Sequence, residues 1–182
     1  MLNSKKYFYH VKNGKLSRLI ISINIKVGCS KMEIKVDDLT SGNVISLLEE
    51  HLADMYATSP AESVHALDVD ALKDSAITFY SCWRNDELLG CVALRELDIN
   101  HVELKSMRTA SHARQLGVAS RLMQHIFMVA KQGHYQTISL ETGSMDFFQP
   151  ARQLYKKYGF EYCGPFGDYQ LDANSKFMTR KI

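Results

Sequence analysis

The chain has 182 residues, of which 46% are hydrophobic and 23% are charged, and its formal net charge is +2 at pH 7. This length and composition are typical of one globular domain with a substantial hydrophobic core. The balanced charge argues against a nucleic-acid-binding protein, for which a markedly basic face is expected.

Two further features bear on where the protein resides. The longest early apolar run, residues 19–25, is far shorter than a membrane span, and no cleavage pattern of small residues follows it. We therefore expect neither a signal peptide nor a membrane partner. The four cysteines are scattered without a Cys-x-x-Cys pair, which predicts a reduced, cytoplasmic chain without a metal site.

The first 31 residues differ from the rest. They are rich in lysine, serine and asparagine and contain one β-prone run at residues 19–25, whereas Met32 opens an alternating strand. We predict that residues 32–182 form the folded domain. Residues 1–31 are then an appendage or the product of an upstream start.

The remaining elements follow from hydrophobic periodicity and turn signals. In chain order they are a strand at 32–36, a helix from about 41 to 56, strands at 77–83, 88–97 and 101–109, a helix at 118–131, a strand at 137–140, a helix at 151–158, and strands at 160–163 and 177–180. Residues 57–71 are polar, broken by Pro60, and predicted to be part helix and part loop. This order predicts an α+β (mixed α/β) fold with a central, mostly antiparallel sheet flanked by helices.

A glycine-containing turn, residues 114–119, joins the third antiparallel strand to the strongly amphipathic helix. Gly117 has no Cβ to obstruct a ligand, and a helix N-terminus offers unpaired amides and a positive dipole end. Arginines add positive charge nearby: Arg108, Arg114 and Arg121. The turn is predicted to bind a diphosphate, and the alternative is an ordinary capped helix.

The turn fits the pattern Arg/Gln-x-x-Gly-x-Gly/Ala and resembles the acyl-CoA pyrophosphate loop of the GNAT superfamily of N-acyltransferases. A second segment, residues 151–160, is similar to the family's Ala-x-x-Leu-Tyr-x-x-x-Gly-Phe motif and begins 34 residues after Gly117. Residues 140–145, 149–151 and 164–169 resemble a bacterial subgroup, the YsnE-like proteins. The resemblance covers about residues 32–182 and implies the GNAT fold.

The resemblance implies that acetyl-CoA is the co-substrate and that no metal takes part. It carries cofactor contacts onto the end of the strand and the turn that follows, at Met107, Arg108, Thr109, Arg114, Gln115, Leu116, Gly117, Val118, Ala119 and Ser120. In the family, two adjacent strands separate, forming a splay, and this exposes backbone groups at the positions of Met107, Arg108 and Thr109. Many members carry an asparagine shortly before Ala151, where this chain has Phe148, Gln149 and Pro150.

Acetyl transfer also needs a neutral amine. A primary alkyl amine has a pKa near 10.4 and is almost entirely protonated at pH 7, so a base assists. Glu103 is the leading candidate and shares a strand face with Lys105, although the two could form a plain surface ion pair. Glu141, after the next strand, is the second candidate, and its alternative role is that of a turn residue.

The departing thiolate needs a proton. Tyr155 falls on the family's tyrosine position and is predicted to donate it, since a phenol is protonated at neutral pH; the alternative is core packing on a helix. The acceptor is expected over the first helices and a distal loop. The candidate acceptor-binding residues are Tyr56, Glu62, His65 and Tyr169, each of which could instead be an ordinary surface or packing residue.

The leading hypothesis is an acyl-CoA-dependent N-acetyltransferase that acts on a small-molecule primary amine by direct attack in a ternary complex. The alternatives are acetylation of a protein or peptide amine and a non-catalytic acyl-CoA-binding module. Nucleic acid is not expected as a partner. A homodimer is a further expectation, with residues 177–180 as an edge strand that could pair across it.

Overall fold

The computed structural model describes residues 5–12, 15–22 and 31–182 of the chain. The chain divides into two compact units, Met1–Ser30 and Lys31–Ile182. Side chains are described only in the second unit, at residues 31–182. The interpretation of the N-terminal residues as an appendage stays a prediction.

The first unit contains a two-stranded antiparallel sheet. Its strands are β1 (Lys5–Lys12) and β2 (Lys15–Ser22). The sequence predicts one β-prone run here, at residues 19–25; the end of that run, residues 23–25, lies outside the described residues. β1 was missed because an isolated strand has little local signal and depends on a partner for its stability.

The second unit is built on one seven-stranded mixed sheet with the strand order β3-β4-β5-β6-β7-β9-β8. Its strands are β3 (Glu33–Val36), β4 (Ile77–Arg84), β5 (Glu87–Asp98), β6 (His101–Thr109), β7 (Thr137–Gly143), β8 (Glu161–Cys163) and β9 (Ser175–Lys181). The α-helices of the described residues are α1 (Gly42–Thr58), α2 (Val118–Gln132) and α3 (Gln149–Lys157). The predicted order of elements and the mixed, mostly antiparallel sheet are confirmed.

Helices α1 and α2 cover opposite faces of the sheet. The Tyr80 ring packs edge-on against α2, and Tyr80 pairs across the strands with Val92. Helix α1, in contrast, forms an ion pair with Arg108 through Glu50. Arg108 is the cross-strand partner of Cys91, which is the neighbour of Val92 on β5. Because successive side chains of a strand point to opposite faces, the two helices lie on different sides.

The predicted amphipathic helix is confirmed as α2. Its core-facing side chains, Val118, Leu122, Met123, Ile126 and Ala130, are at most 1% exposed. Full burial of a leucine, isoleucine or methionine side chain contributes roughly 1.5–3 kcal/mol relative to exposure. This packing holds the N-terminus of α2, and with it the glycine turn, against the middle of the sheet.

The position of β9 corrects one expectation. The strand lies between β7 and β8, antiparallel to both, so it is not an edge strand. Residues 177–179 therefore have both ladder sides occupied within the chain, and they cannot supply an unpaired edge to a second copy. A dimer through another surface stays a prediction. Among the described residues, no helix is long and apolar enough to cross a membrane.

Candidate active site

The turn before α2 has a left-handed backbone at two positions. A short 3-10 helix, Ser111–Ala113, follows β6, and then Gln115 has φ +63° and Gly117 has φ +83°. A Cβ added at Gly117 would meet nothing within 4 Å, so glycine suits this site for its backbone conformation as well as for ligand access. The amides of the first turn of α2 lack partners within the helix and lie beside this exposed turn.

Next to the turn, β6 and β7 separate. The two strands pair in parallel only over His101–Leu104 on β6, although both continue for several residues beyond that point. Over the described part of the chain, no ladder joins them past Leu104, so the backbone of residues 105–109 borders a gap on that side. This gap is the splay that the family resemblance implies.

A bulge in β6 widens the same region. β6 has one extra residue opposite β5 here, and Ser106 adopts a left-handed φ of +49°. Gly90 of β5 accommodates the bulge, since an added Cβ would lie 2.5 Å from the Arg108 carbonyl oxygen. The local kink turns the end of β6 away from its regular path.

A cavity of about 460 Å³, the donor cavity, lies at the splay. The predicted cofactor residues that line it are Met107, Arg108, Thr109, Arg114 and Ala119. The other predicted cofactor residues, Gln115, Leu116, Gly117, Val118 and Ser120, form the turn and the start of α2 beside it. Its remaining walls come from α1, α3 and the segment before α3, with Phe147, Phe148 and Leu154 as large apolar groups.

The side chain of Arg108 is already engaged. It is 8% exposed, and its two terminal nitrogens contact Glu50 Oε1 and Asp54 Oδ2, each at 2.7 Å. These two carboxylates of α1 neutralise the guanidinium. The expectation that Arg108 adds positive charge for a diphosphate is therefore wrong, whereas Arg114 is exposed and lines the donor cavity.

A second cavity, the central cavity, has a volume of about 100 Å³. It shares its lining on one side with the donor cavity, through His51, Met107, Phe148, Ala151 and Tyr155. On the other side it shares His65, Ala66, Glu103 and Lys105 with a third cavity. The central cavity is thus the junction between two larger spaces.

The third cavity, the acceptor cavity, has a volume of about 510 Å³. It lies between residues 62–67 and the loop at residues 166–172, above the end of β5 and the middle of β6. Its ionisable side chains other than histidine and tyrosine are Glu62, Arg95, Glu103, Lys105, Asp168 and Asp172. The excess of carboxylates favours a cationic ligand.

Glu103 is buried within a hydrogen-bonded group. Tyr169 donates to Glu103 Oε1 at 2.6 Å, and Lys105 Nζ donates both to the same oxygen at 3.1 Å and to the Tyr169 hydroxyl at 2.7 Å. Glu103 is fully buried and Lys105 is 9% exposed, so the pair is not a surface ion pair. Burial and the neighbouring Glu103 charge raise the pKa of Tyr169, which keeps its hydroxyl protonated.

Glu141 and Tyr155 meet at the central cavity. Burial raises the pKa of the Glu141 carboxyl to about 7, and partial protonation at neutral pH follows. Tyr155 is 7% exposed, its hydroxyl lies 4.0 Å from Met107 Sδ, and burial together with the Glu141 charge raises its pKa. The phenol therefore stays protonated over the physiological range.

His51 was missed by the sequence analysis. It lines both the donor and the central cavity, and burial, followed by the Arg108 charge, lowers its pKa to about 4, so the imidazole is neutral at pH 7. Its position could have been found, because it lies on the buried stripe of α1, one turn from Leu47 and Met55. A polar residue on an otherwise apolar helix face was the available signal.

The predicted acceptor residues are only partly brought together. Glu62, His65 and Tyr169 line the acceptor cavity, and the His65 and Tyr169 rings pack edge to face with centroids 5.1 Å apart. Tyr56 is 57% exposed and lines none of the three cavities. On α1 it is Met55 that faces inward, towards the central cavity.

Comparison with known proteins agrees with this geometry. The model of the Acetyltransferase (GNAT) family matches residues 44–160, more than half of the chain. The uncharacterized N-acetyltransferase YsnE of Bacillus subtilis (strain 168) is 55% identical over 152 residues, which cover 83% of this chain and 100% of that protein.

Solved structures show the same fold. A Klebsiella pneumoniae protein assigned as an acyl-CoA N-acyltransferase superposes with a TM-score of 0.68 at 21% identity, over 84% of this chain and 98% of that one. A GNAT acetyltransferase of Elizabethkingia anophelis with acetyl-CoA bound gives 0.61 at 17% identity, over 83% and 98%. From the family match and the close relative, the chain belongs to the GNAT family and is an acyl-CoA-dependent N-acetyltransferase.

Proposed function

We propose that this enzyme transfers an acetyl group from acetyl-CoA to a primary amine of a small molecule by direct attack in a ternary complex. The observation that carries the proposal is the central cavity, which shares walls with both the donor and the acceptor cavity. Two substrates held in the larger cavities can meet there without leaving the protein. Proximity of this kind is a large part of catalysis in two-substrate reactions.

Acetyl-CoA would enter by the donor cavity. The amides at the start of α2 and the Arg114 side chain suit the diphosphate, because a helix N-terminus and a guanidinium both favour an anion. The pantetheine arm would then follow the unpaired side of β6 through the splay. A backbone amide near Met107 or Arg108 would face the thioester carbonyl and stabilise negative charge on its oxygen.

In the transfer, the amine nitrogen bonds to the carbonyl carbon of the thioester, and the carbon–sulfur bond breaks with its electron pair left on sulfur. The amine loses one proton to a base, and the thiolate gains one. Tyr155 is the proposed donor to sulfur, since it lines both cavities at their junction and holds its proton. Its contact with Met107 is too long to occupy the hydroxyl fully.

Glu141 is the better-matched base of the two candidates. General bases work best when their pKa lies near the working pH, and burial raises the pKa of Glu141 to about 7. Glu103 Oε1 already accepts hydrogen bonds from Lys105 and Tyr169, and the carboxylate forms an ion pair with Lys105. We therefore assign Glu103 to holding the amine and Glu141 to removing its proton.

The described cysteines support direct attack. Burial raises the pKa of the thiols of Cys82 and Cys163, and it raises the pKa of the Cys91 thiol to about 12. The thiolate is the nucleophilic form of cysteine, and none of these three side chains is set up to supply it. An acetyl-cysteine intermediate on residues 31–182 is therefore disfavoured.

The proposal is tested by titration calorimetry with acetyl-CoA, followed by a thiol-release screen across amines. Gly117→Glu places bulk and negative charge at the proposed diphosphate site and should abolish the micromolar binding expected of the unmodified protein. Gly117→Asn tolerates a left-handed backbone and adds a side chain without charge, so it should weaken that binding less than Gly117→Glu does. Gly42→Glu, at the start of α1 with open space around it, controls for the charge change.

Absence of acetyl-CoA binding by the unmodified protein would refute the donor site. Binding without thiol release for any amine would favour the non-catalytic alternative. Release with peptides but not with small amines would favour a protein acceptor.

A further inference from the structure

Arg95 and Glu103 are neighbours on the floor of the acceptor cavity. They are paired residues of the antiparallel strands β5 and β6, so their side chains leave the same face of the sheet. Arg95 Nη1 lies 3.9 Å from Glu103 Oε2, which is beyond hydrogen-bond distance. Both residues line the acceptor cavity, and Glu103 also lines the central cavity.

The two oxygens of Glu103 differ in their partners. Oε1 accepts from Tyr169 and Lys105, whereas Oε2 accepts no hydrogen bond from residues 31–182. The side chain is 1% exposed. A buried carboxylate oxygen without a donor is costly, since it has lost water and gained no replacement. An ammonium group bound in the cavity would supply the missing donor.

The Arg95 guanidinium provides a positive charge beside the Glu103 carboxylate. Its side chain is 40% exposed, and within the described part of the chain its nearest carboxylate is Glu103 at that long distance. A guanidinium presents several N–H donors in a planar fork that matches a carboxylate. The floor of the acceptor cavity thus presents Glu103 Oε2 to a cationic group and the Arg95 guanidinium to an anionic group.

The separation of the two groups selects among ligands. In an α-amino acid the nitrogen and the carboxyl carbon lie about 2.5 Å apart, because two bonds of about 1.5 Å meet at one tetrahedral carbon. Facing groups 3.9 Å apart can contact both ends of such a short zwitterion. A zwitterion with a longer spacer would have to fold back on itself to make both contacts.

We propose that the acceptor is an α-amino acid, bound with its ammonium at Glu103 Oε2 and its carboxylate at Arg95, and acetylated on the α-nitrogen. This inference rests on the proposed function and narrows its substrate class. The side chain of the amino acid extends along the acceptor cavity towards Leu67, Leu97 and Phe166. The ammonium first loses one proton to Glu141. The neutral nitrogen then bonds to the acetyl carbon as the carbon–sulfur bond breaks; CoA leaves as the thiol with the proton of Tyr155, and the second proton lost by the nitrogen restores Tyr155.

The test compares each common α-amino acid with the amine that lacks its carboxylate and with its methyl ester, using thiol release. At least one amino acid should exceed its own amine and ester in kcat/KM by roughly 10- to 100-fold, as expected for a charge-assisted contact. Arg95→Gln should remove that preference through a higher KM for the amino acid, so that the amino acid and its simple amine become equal substrates within about threefold. Arg95→Lys should restore part of it.

Arg84→Gln is the matched control, since Arg84 lies on the adjacent strand β4 and pairs with Glu87; it should leave the preference intact. Simple amines or peptides acetylated as well as amino acids would overturn the inference and leave the proposed acetyl transfer standing. A preference for amino acids that survives Arg95→Gln would also overturn it. Acetyl-CoA binding without turnover on any amine would refute both.

Discussion

The buried carboxyl of Glu141 should make the stability of the ligand-free protein depend on pH in a specific direction. Burial raises its pKa to about 7 in the folded protein, against 4.5 when exposed. Between these values the folded state holds a proton that the unfolded state has released, so the free energy of unfolding falls as pH rises. The full shift corresponds to at most about 3 kcal/mol, complete above pH 7 and absent below pH 4.5.

Glu141→Gln removes this effect, because glutamine resembles the protonated acid and does not titrate. The variant should match the unmodified protein near pH 4.5 and be more stable by up to about 3 kcal/mol at pH 8. Urea unfolding at both pH values measures the two differences. Glu161→Gln, at an exposed position on β8, should show no such change with pH.

The same substitution tests the proposed base. For the unmodified enzyme, kcat/KM should rise through about pH 7 as Glu141 loses its proton. The variant should lose this rise, and it should keep the rise at higher pH that reflects deprotonation of the amine itself. An equal stability difference at pH 4.5 and pH 8 would refute the raised pKa. An unchanged activity profile would refute the role as base.

Two further variants address the junction and the bulge. Tyr155→Phe should lower kcat by about 10²- to 10³-fold while the Kd for acetyl-CoA stays within about threefold, measured by thiol release and calorimetry; unchanged kcat would mean that the ring serves packing alone. Gly90→Ala places a Cβ 2.5 Å from the Arg108 carbonyl oxygen and should cost about 1–3 kcal/mol in urea unfolding. Gly164→Ala meets nothing within 4 Å and should be neutral, and equal effects of the two would contradict the close approach of β5 to β6.

Local patterns were sufficient for the order of elements in the second unit. The 3.6-residue period of α2 and the turn at Gly117 each depend on residues close in the chain, and the structure agrees with both. The N-terminal sheet shows the limit of this approach. Strand β1 is paired with β2 along its whole length, and the sequence of one short strand alone indicates a strand only weakly.

The state of individual charges depended on distant segments. Alternation correctly placed Glu103 and Lys105 on one face, yet their burial depends on Tyr169, which arrives from a loop more than 60 residues later. Arg108 similarly meets Glu50 and Asp54, which lie four residues apart on one face of α1. No local pattern reports such pairings, because they are fixed by how helices and loops pack on the sheet.

The sequence by itself determined the family and the fold, and it predicted the segment that would hold the cofactor, because periodicity and short motifs are local properties. Tertiary structure alone decided the splay past Leu104, the three joined cavities, the neutral His51 and the facing pair of Arg95 and Glu103. Each of these depends on strand register and on which loops cover the sheet. Strand register and the covering loops determine which side chains are buried. Burial in turn determines the pKa values and the free hydrogen-bonding groups on which the chemistry depends.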